Sequence, residues 1–307
     1  MRRLAAALAA AAACMASGCG FGPGALHGGA SVLVTADFGT RTLGRQATPT
    51  VPSSETVMRL LERSFNVTTR YGGGFVESIG GVAGGHSHGR LIDWFYYVNG
   101  IEAPNGAATT TVYPGDAIWW DRHDWGAAMS IPAVVGSYPE PFLHGTGGKR
   151  VPVRVDCAEG ANQACQQVEQ RLESSGVIAS GAALGAPSGQ DVARVLVGPW
   201  SAVEADGAAE QLVAGPSISG VYARPSTSGS QLQLLNATGA VVETLDGDAG
   251  LVAATRYSDQ DPTWVVTGTD AAGVAAAVTG FDAATLDGHF AVAFAGGRAI
   301  PLPVVAR

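Results

Sequence analysis

The chain has 307 residues, 46% hydrophobic and only 14% charged, with 18 Lys and Arg against 26 Asp and Glu for a formal charge of −8. An acidic chain with Lys149 as its sole lysine argues against nucleic acid as a partner and against a polybasic membrane patch. The length exceeds one typical domain and the texture of the sequence changes near residue 148, so two domains are expected.

Met1-Arg2-Arg3 is a basic start, Leu4 to Ala13 an apolar run too short to span a bilayer, and Met15 to Cys19 a small-residue cleavage site. Residues 1–18 resemble a bacterial lipoprotein signal peptide. That resemblance implies cutting before Cys19, diacylglycerol on its thiol and acylation of its freed amine; an ordinary secretory signal, with Cys19 incidental, is the alternative. Either way the mature chain is expected outside the cytoplasm, and in the lipoprotein reading it is lipid-anchored to the cell membrane. Residues 19–29 are Gly-rich and read as a tether that holds the folded part off the bilayer. Of the remaining cysteines, Cys14 leaves with the signal. Cys157 and Cys165 are expected to form a disulfide in an oxidising compartment, the alternative being a two-thiolate metal site that lacks a nearby His.

The first folded part, residues 30–130, opens with an alternating strand over Ala30 to Asp37 and a hairpin partner over Arg41 to Gln46. Val57, Leu60 and Leu61 recur at helical spacing behind Ser53-Ser54-Glu55-Thr56, where the serine before Glu55 is the expected N-cap. Short strands follow over Phe65 to Tyr71 and Phe75 to Ile79. After a mobile loop over residues 80–90 come a strand at Ile92 to Val98, a turn at Asn99-Gly100, a weak strand around Thr109 to Val112 and a strand at Asp116 to Asp121. Strand pair, helix and further strands is the order of a β-grasp (ubiquitin-like) domain.

The segment Ile92 to Trp125 holds four of the six tryptophans and three of the seven tyrosines. On an extended strand Trp94, Tyr96 and Val98 face one way and Phe95, Tyr97 and Asn99 the other; Trp119 and Trp120 are likewise split, so one can be core while the other is exposed. Asn99-Gly100 and Pro114-Gly115-Asp116 carry tight-turn chemistry. The run Trp94 to Gly100 followed by Val112 to Trp120 resembles the W-x-Y-x-V-N-G … G-D-x-I-x-W pattern of the transcobalamin C-terminal-like domain family, a β-grasp module of vitamin B12 carriers and many bacterial surface proteins. The resemblance covers roughly residues 30–125. It implies a face, carried by Trp94, Tyr96, Tyr97, Trp119 and Trp120, that caps a flat, cobalamin-like organic ligand or another protein. It also implies, by analogy, delivery to a transporter permease. Family members that bind cobalamin do so together with an α-helical barrel, which this chain lacks.

Residues 131–150 read as a Pro-bounded extended linker, and 151–307 as an α/β layered domain of no recognised family. Strands are expected at Val151 to Val155, Val192 to Val197, Gly220 to Ala223, Gln231 to Leu235, Leu251 to Thr255, Trp264 to Thr267 and Phe290 to Phe294. Helices are expected over Asn162 to Ser175, weakly over Ser201 to Val213, and from Asp270 to Thr279. The fold class is therefore α+β, a β-grasp domain followed by an α/β domain.

Asp121-Arg122-His123-Asp124 is the one tight ionisable cluster. It reads either as an ion-paired corner after the last β-grasp strand, with Arg122 held by a carboxylate and shielded by Trp125, or as a base, His123, oriented by Asp121 or Asp124. His86 and His88 could offer two imidazoles to a metal, but two solvated loop histidines are expected, and no catalytic residue, metal site or resident cofactor is assigned. Gly268-Thr269-Asp270 opens a helix, yet Asp270 would repel a phosphate there. The main expectation is a non-catalytic binding module on an anchored lipoprotein. A structural or protein-interaction module of the cell envelope is the alternative, and a metal-dependent hydrolase built on the His/Asp cluster a second one.

Overall fold

The computed structural model describes residues 25–87, 89–189, 191–257 and 260–305. The expected signal peptide, Cys19, most of the expected tether and His88 lie outside the described residues.

The N-terminal part holds β1 (Ala25–Ala36), β2 (Arg41–Pro52), α1 (Val57–Ser64), β3 (Val67–Arg70), β4 (Phe75–Ile79), β5 (Val82–Ala83), β6 (Gly85–Ser87), β7 (Arg90–Val98), β8 (Ile101–Glu102) and β9 (Ala117–Asp124). Its main sheet runs β2-β1-β9-β7-β6, with β8 paired to β7, and β1 lies parallel to β9 while its other pairs are antiparallel. A hairpin, a helix on one face, and a late strand returning parallel beside the first make the β-grasp arrangement. β1 begins five residues before the expected strand, so Ala25 to Gly29 is paired to β2 rather than tether. Thr56, and not a serine, caps α1 by accepting from Arg59 N at 3.3 Å. The 80–90 loop contains β5 and β6, whereas residues 109–112 form a lone bridge, Thr56 to Thr111, rather than a strand. α1 lays Val57, Met58, Leu60 and Leu61 on the sheet beside Val32, Val34 and Ile118.

The C-terminal part holds β10 (Val153–Cys157), α2 (Asn162–Ser174), β11 (Ala179–Ala183), β12 (Ala193–Pro199), α3 (Trp200–Val203), α4 (Gly207–Glu210), α5 (Pro216–Ser219), β13 (Ala223–Pro225), β14 (Gln231–Leu235), β15 (Val241–Asp246), β16 (Gly250–Thr255), β17 (Thr263–Gly268), α6 (Ala271–Thr279), α7 (Ala283–Leu286), β18 (Ala291–Ala295) and β19 (Arg298–Leu302). Seven strands form one sheet in the order β11-β10-β12-β17-β16-β18-β19, parallel from β11 to β17 and antiparallel beyond; β13, β14 and β15 form a smaller sheet. The one weak helix expected over Ser201 to Val213 is instead a chain of single turns, because Asp206 leaves helical geometry to cap a new turn that starts at Gly207. β16 and β17 are buried at every residue, as strands covered on both faces must be. Cys157, ending β10, is bonded to Cys165 on α2 as a disulfide.

One face of this sheet carries Val155, Val195, Trp264 and Val266 against α2 and α6. The opposite face carries Leu196, Leu251, Ala253 and Val265 into a core that also contains Leu33, Tyr97, Trp119 and Ile131 from the N-terminal part. The two sheets therefore share one apolar layer. The expected linker is part of the interior as well: Val134, Val135, Tyr138 and Phe142 are buried, and the last two pack on Trp264.

Candidate functional site

The residues expected to form a ligand face alternate as strand geometry requires, but neither face is open. Trp94, Tyr96 and Trp120 turn toward α1, where Tyr96 stacks on Trp120 at 4.8 Å between centroids. Their polar tips are largely used locally: Trp94 Nε1 donates to Val82 O at 3.1 Å, and Tyr96 Oη bonds Asn105 O and Thr110 Oγ1 at 2.5 and 2.7 Å. Tyr97 and Trp119 turn toward the C-terminal part and meet Phe290, the residue just before β18, at 5.7 and 5.0 Å. The most exposed of the five rings, Tyr96, is only 9% accessible, and Trp119 is 1%. Strand geometry allows one of the adjacent tryptophans to be exposed, but both Trp119 and Trp120 are buried. A second layer of structure covers each face, and Phe290 occupies the space against the inner one.

The same interior absorbs the His/Asp cluster. Residues 121–124 belong to β9 itself rather than to a corner after it. Asp121 is fully buried and accepts from His123 Nδ1 at 2.9 Å, Phe38 N at 3.1 Å, Gly39 N at 2.9 Å and Thr35 Oγ1 at 2.5 Å, while Thr35 Oγ1 in turn accepts from Trp119 Nε1 at 2.7 Å. Two of these four bonds, from the Phe38 and Gly39 amides, close the β1–β2 turn, and the others tie the carboxylate to β1 and β9. His123, 2% exposed, is stacked on Phe95 at 4.5 Å and lies 4.7 Å from Phe38. Buried between these rings and bonded to Asp121, His123 ties β9 to the β1–β2 turn at the junction of the two parts. Asp124 pairs with Arg90 at 2.7 Å, and Arg122 donates to Ala83 O at 2.6 Å rather than to a carboxylate. Trp125 Nε1 is bonded to Asp93 at 3.0 Å. His86 is exposed, and among the described residues no group of three His, Cys, Asp or Glu is placed to hold a metal ion.

The turn residues hold the positions expected of them and also do something the sequence does not announce. Asn99 and Gly100 both have positive φ, 54° and 76°, and Gly115 has 93°. Asn99 Nδ2 donates to Asp116 Oδ1 at 2.8 Å and across to Gly145 O at 2.7 Å, and Asp116 Oδ2 accepts from Tyr113 N at 2.8 Å. Glu140 lies beside them, bonded to the His144 backbone at 2.9 Å and to its ring at 2.5 Å. Burial pushes both the Asp116 and the Glu140 carboxyls above their ordinary range, against the opposing pull of His144. This knot fastens the β-grasp turns to the connecting segment. Its only sequence trace is the Asn-Gly and Gly-Asp pairs.

Open concavities lie at the opposite end of β1. A cleft of about 410 Å³ is bounded by Asp37, Phe38, Arg90, Asp124, Thr238 and Val304, and a neighbouring one of about 600 Å³ by Thr40, Glu243, Arg298 and Ile300. None of the five candidate rings lines either. At the start of α6, Asp270 caps the helix by accepting from Gly273 N and Asp248 N, both at 2.8 Å, and these amides hold its carboxyl below the usual range. That N-terminus is closed to an anion.

Residues 54–124 match a family described as a domain of unknown function (DUF4430). The matched span contains the whole Trp94 to Trp120 motif and leaves the β1–β2 hairpin outside it. A protein from Ruminococcus gnavus, provisionally described as metal-binding, is similar at 15% identity and a TM-score of 0.25, over 32% of this chain and 97% of that one. Haptocorrin in complex with Cbi is similar at 16% identity and a TM-score of 0.25, over 32% of this chain and 26% of haptocorrin. No curated protein matches.

Proposed function

We propose that the protein is a lipid-anchored, extracytoplasmic component of the cell envelope. In this reading its β-grasp sheet is the internal scaffold of a protein-interaction module and not the mouth of a ligand site. The observation that carries this reading is the burial of Trp94, Tyr96, Tyr97, Trp119 and Trp120 on both faces of β7 and β9. A flat ligand could reach them only by displacing α1 or Phe290, giving up packing worth roughly 3–5 kcal/mol at the latter ring alone. The anchor is supported by the residues before Cys19 and by the disulfide of Cys157 and Cys165, which suits an oxidising compartment.

The reading is tested by titrating the purified protein with cobalamins and cobinamide while following tryptophan emission. Invariant emission after inner-filter correction is expected. Saturable quenching by any of them would return the aromatic strands to a ligand-binding role. The anchor is tested separately by mass measurement of the mature N-terminus, with Cys19→Ser expected to release the protein from membranes.

A further inference from the structure

The end of the fold from which the N-terminal segment leaves carries a basic turn on an otherwise acidic protein. Gly28 packs against Pro114 so closely that a Cβ on it would lie 2.9 Å from the proline Cβ, and Gly29 O accepts from Gly115 N at 2.6 Å. The neighbouring Tyr113 ring lies against Gly148, 2.6 Å from where a Cβ would stand there. Thr146 and Lys149 exchange backbone hydrogen bonds of 3.0 Å in a tight turn that exposes Lys149 and Arg150. The start of the fold and this turn are thus separated by one tyrosine. Among the described residues neither Lys149 nor Arg150 forms an ion pair. Two carboxylates at this end, Asp116 and Glu140, are buried beneath it and hydrogen-bonded to Asn99, Tyr113 and His144.

Cys19 stands six residues before Ala25, a reach of at most about 21 Å. A membrane holding Cys19 therefore lies close to this end. The far end, with Thr40, Asp37 and both clefts, is about 36 Å away along β1. We propose that Lys149 and Arg150 dock onto anionic phospholipid headgroups, turning the tether end of the anchored protein toward the bilayer and holding the far end outward. The proposal rests on the lipoprotein reading. Two cations held at an anionic surface favour that orientation about thirtyfold over one that keeps them in solution, and the preference fades with salt. They are too few to bind a membrane unaided, which agrees with the lack of a polybasic segment; their effect is on an already anchored molecule.

Lys149 is the only lysine, so amine labelling read by peptide mass reports this corner alone. The full lipidated protein is placed in vesicles of phosphatidylcholine, with or without about 30% phosphatidylglycerol, and treated with an uncharged amine-reactive ester. Labelling of Lys149 is expected to be several-fold slower on the anionic vesicles and to recover at about 0.5 M NaCl. Arg150→Glu should bring it to the neutral-vesicle rate. The lysine introduced by Arg298→Lys, beside Thr40 at the far end, should react equally on both. Equal labelling of Lys149 on the two vesicle types overturns the orientation while leaving the anchor standing. Protein that floats with neither vesicle overturns the anchor, and the orientation with it.

Discussion

Phe290→Ala tests whether the two sheets share one core. The ring is 2% exposed and lies 5.0 to 5.7 Å, centroid to centroid, from Trp119, Phe38, His123 and Tyr97, all of them N-terminal residues. Removing a buried phenyl costs roughly 3–5 kcal/mol, the upper part of that range applying where the surroundings cannot collapse into the space. Here they cannot, since Trp119 is tied to Thr35 and His123 to Asp121. That range already includes the lost edge-to-face contacts, each worth about 0.5–1.5 kcal/mol at most. A loss of about 4 kcal/mol is expected, a large part of the roughly 5–15 kcal/mol that holds a domain folded. Guanidinium unfolding followed by tryptophan emission and by far-ultraviolet circular dichroism is the assay. Both probes should move to lower denaturant together, with unchanged slope. A loss below about 1 kcal/mol, or a shift confined to one of two separate transitions, would show that the sheets do not stand or fall together.

Gly136→Ala presses on the same junction from the other side, since a Cβ there would stand 2.6 Å from His289 N and 2.8 Å from the Trp119 ring. An overpacking cost of about 1–3 kcal/mol and altered tryptophan emission are expected; unchanged thermal stability would contradict the close approach. Asp156→Asn leaves Arg154, bonded at 2.5 and 3.0 Å, and Arg194 at 3.4 Å without their shared buried carboxylate, and should cost about 3–5 kcal/mol in denaturant unfolding. For Glu140 the folded carboxyl binds its proton more tightly than the unfolded one, because burial raises it. Its contribution is therefore full below the ordinary carboxylate range and is lost as pH rises through the raised value. Wild type should lead Glu140→Gln by more in acid than at neutrality in melting curves, and a lead that grows toward neutrality would reverse the sign. Cys165→Ala opens a short loop and should lower stability by about 2–3 kcal/mol under oxidising conditions while changing nothing once the wild type is reduced.

Much of the local structure could be read from the residues. Asn99-Gly100 turns where tight-turn chemistry demands positive φ, and the pair Cys157 and Cys165 is joined. β4 and β14 match their alternation to the residue, and Asp270 caps α6 through its side chain. β11, β15 and β19 are edge strands with half-exposed or mixed residues, so their identity depends on a neighbouring strand and not on their own pattern. The weak helix expected over residues 201–213 is broken at Asp206, whose extended backbone caps a separate turn beginning at Gly207. At the candidate site, alternation correctly separated Trp119 from Trp120 but gave no means of knowing what lay over each face.

The sequence by itself determined the elements whose cause is local: the alternation that sorts rings onto two faces, the turns and the Asp270 cap of α6. Only the tertiary structure decided that both aromatic faces are interior, that Asp121 and His123 serve the junction, and that the turn carrying Lys149 lies near the start of β1. Those facts depend on Phe290, Gly148 and Glu140 coming from other strands and loops to meet the β-grasp sheet. Burial is a property of what packs against a residue, and a strand's own period is the same whether its outer face meets water or a second layer.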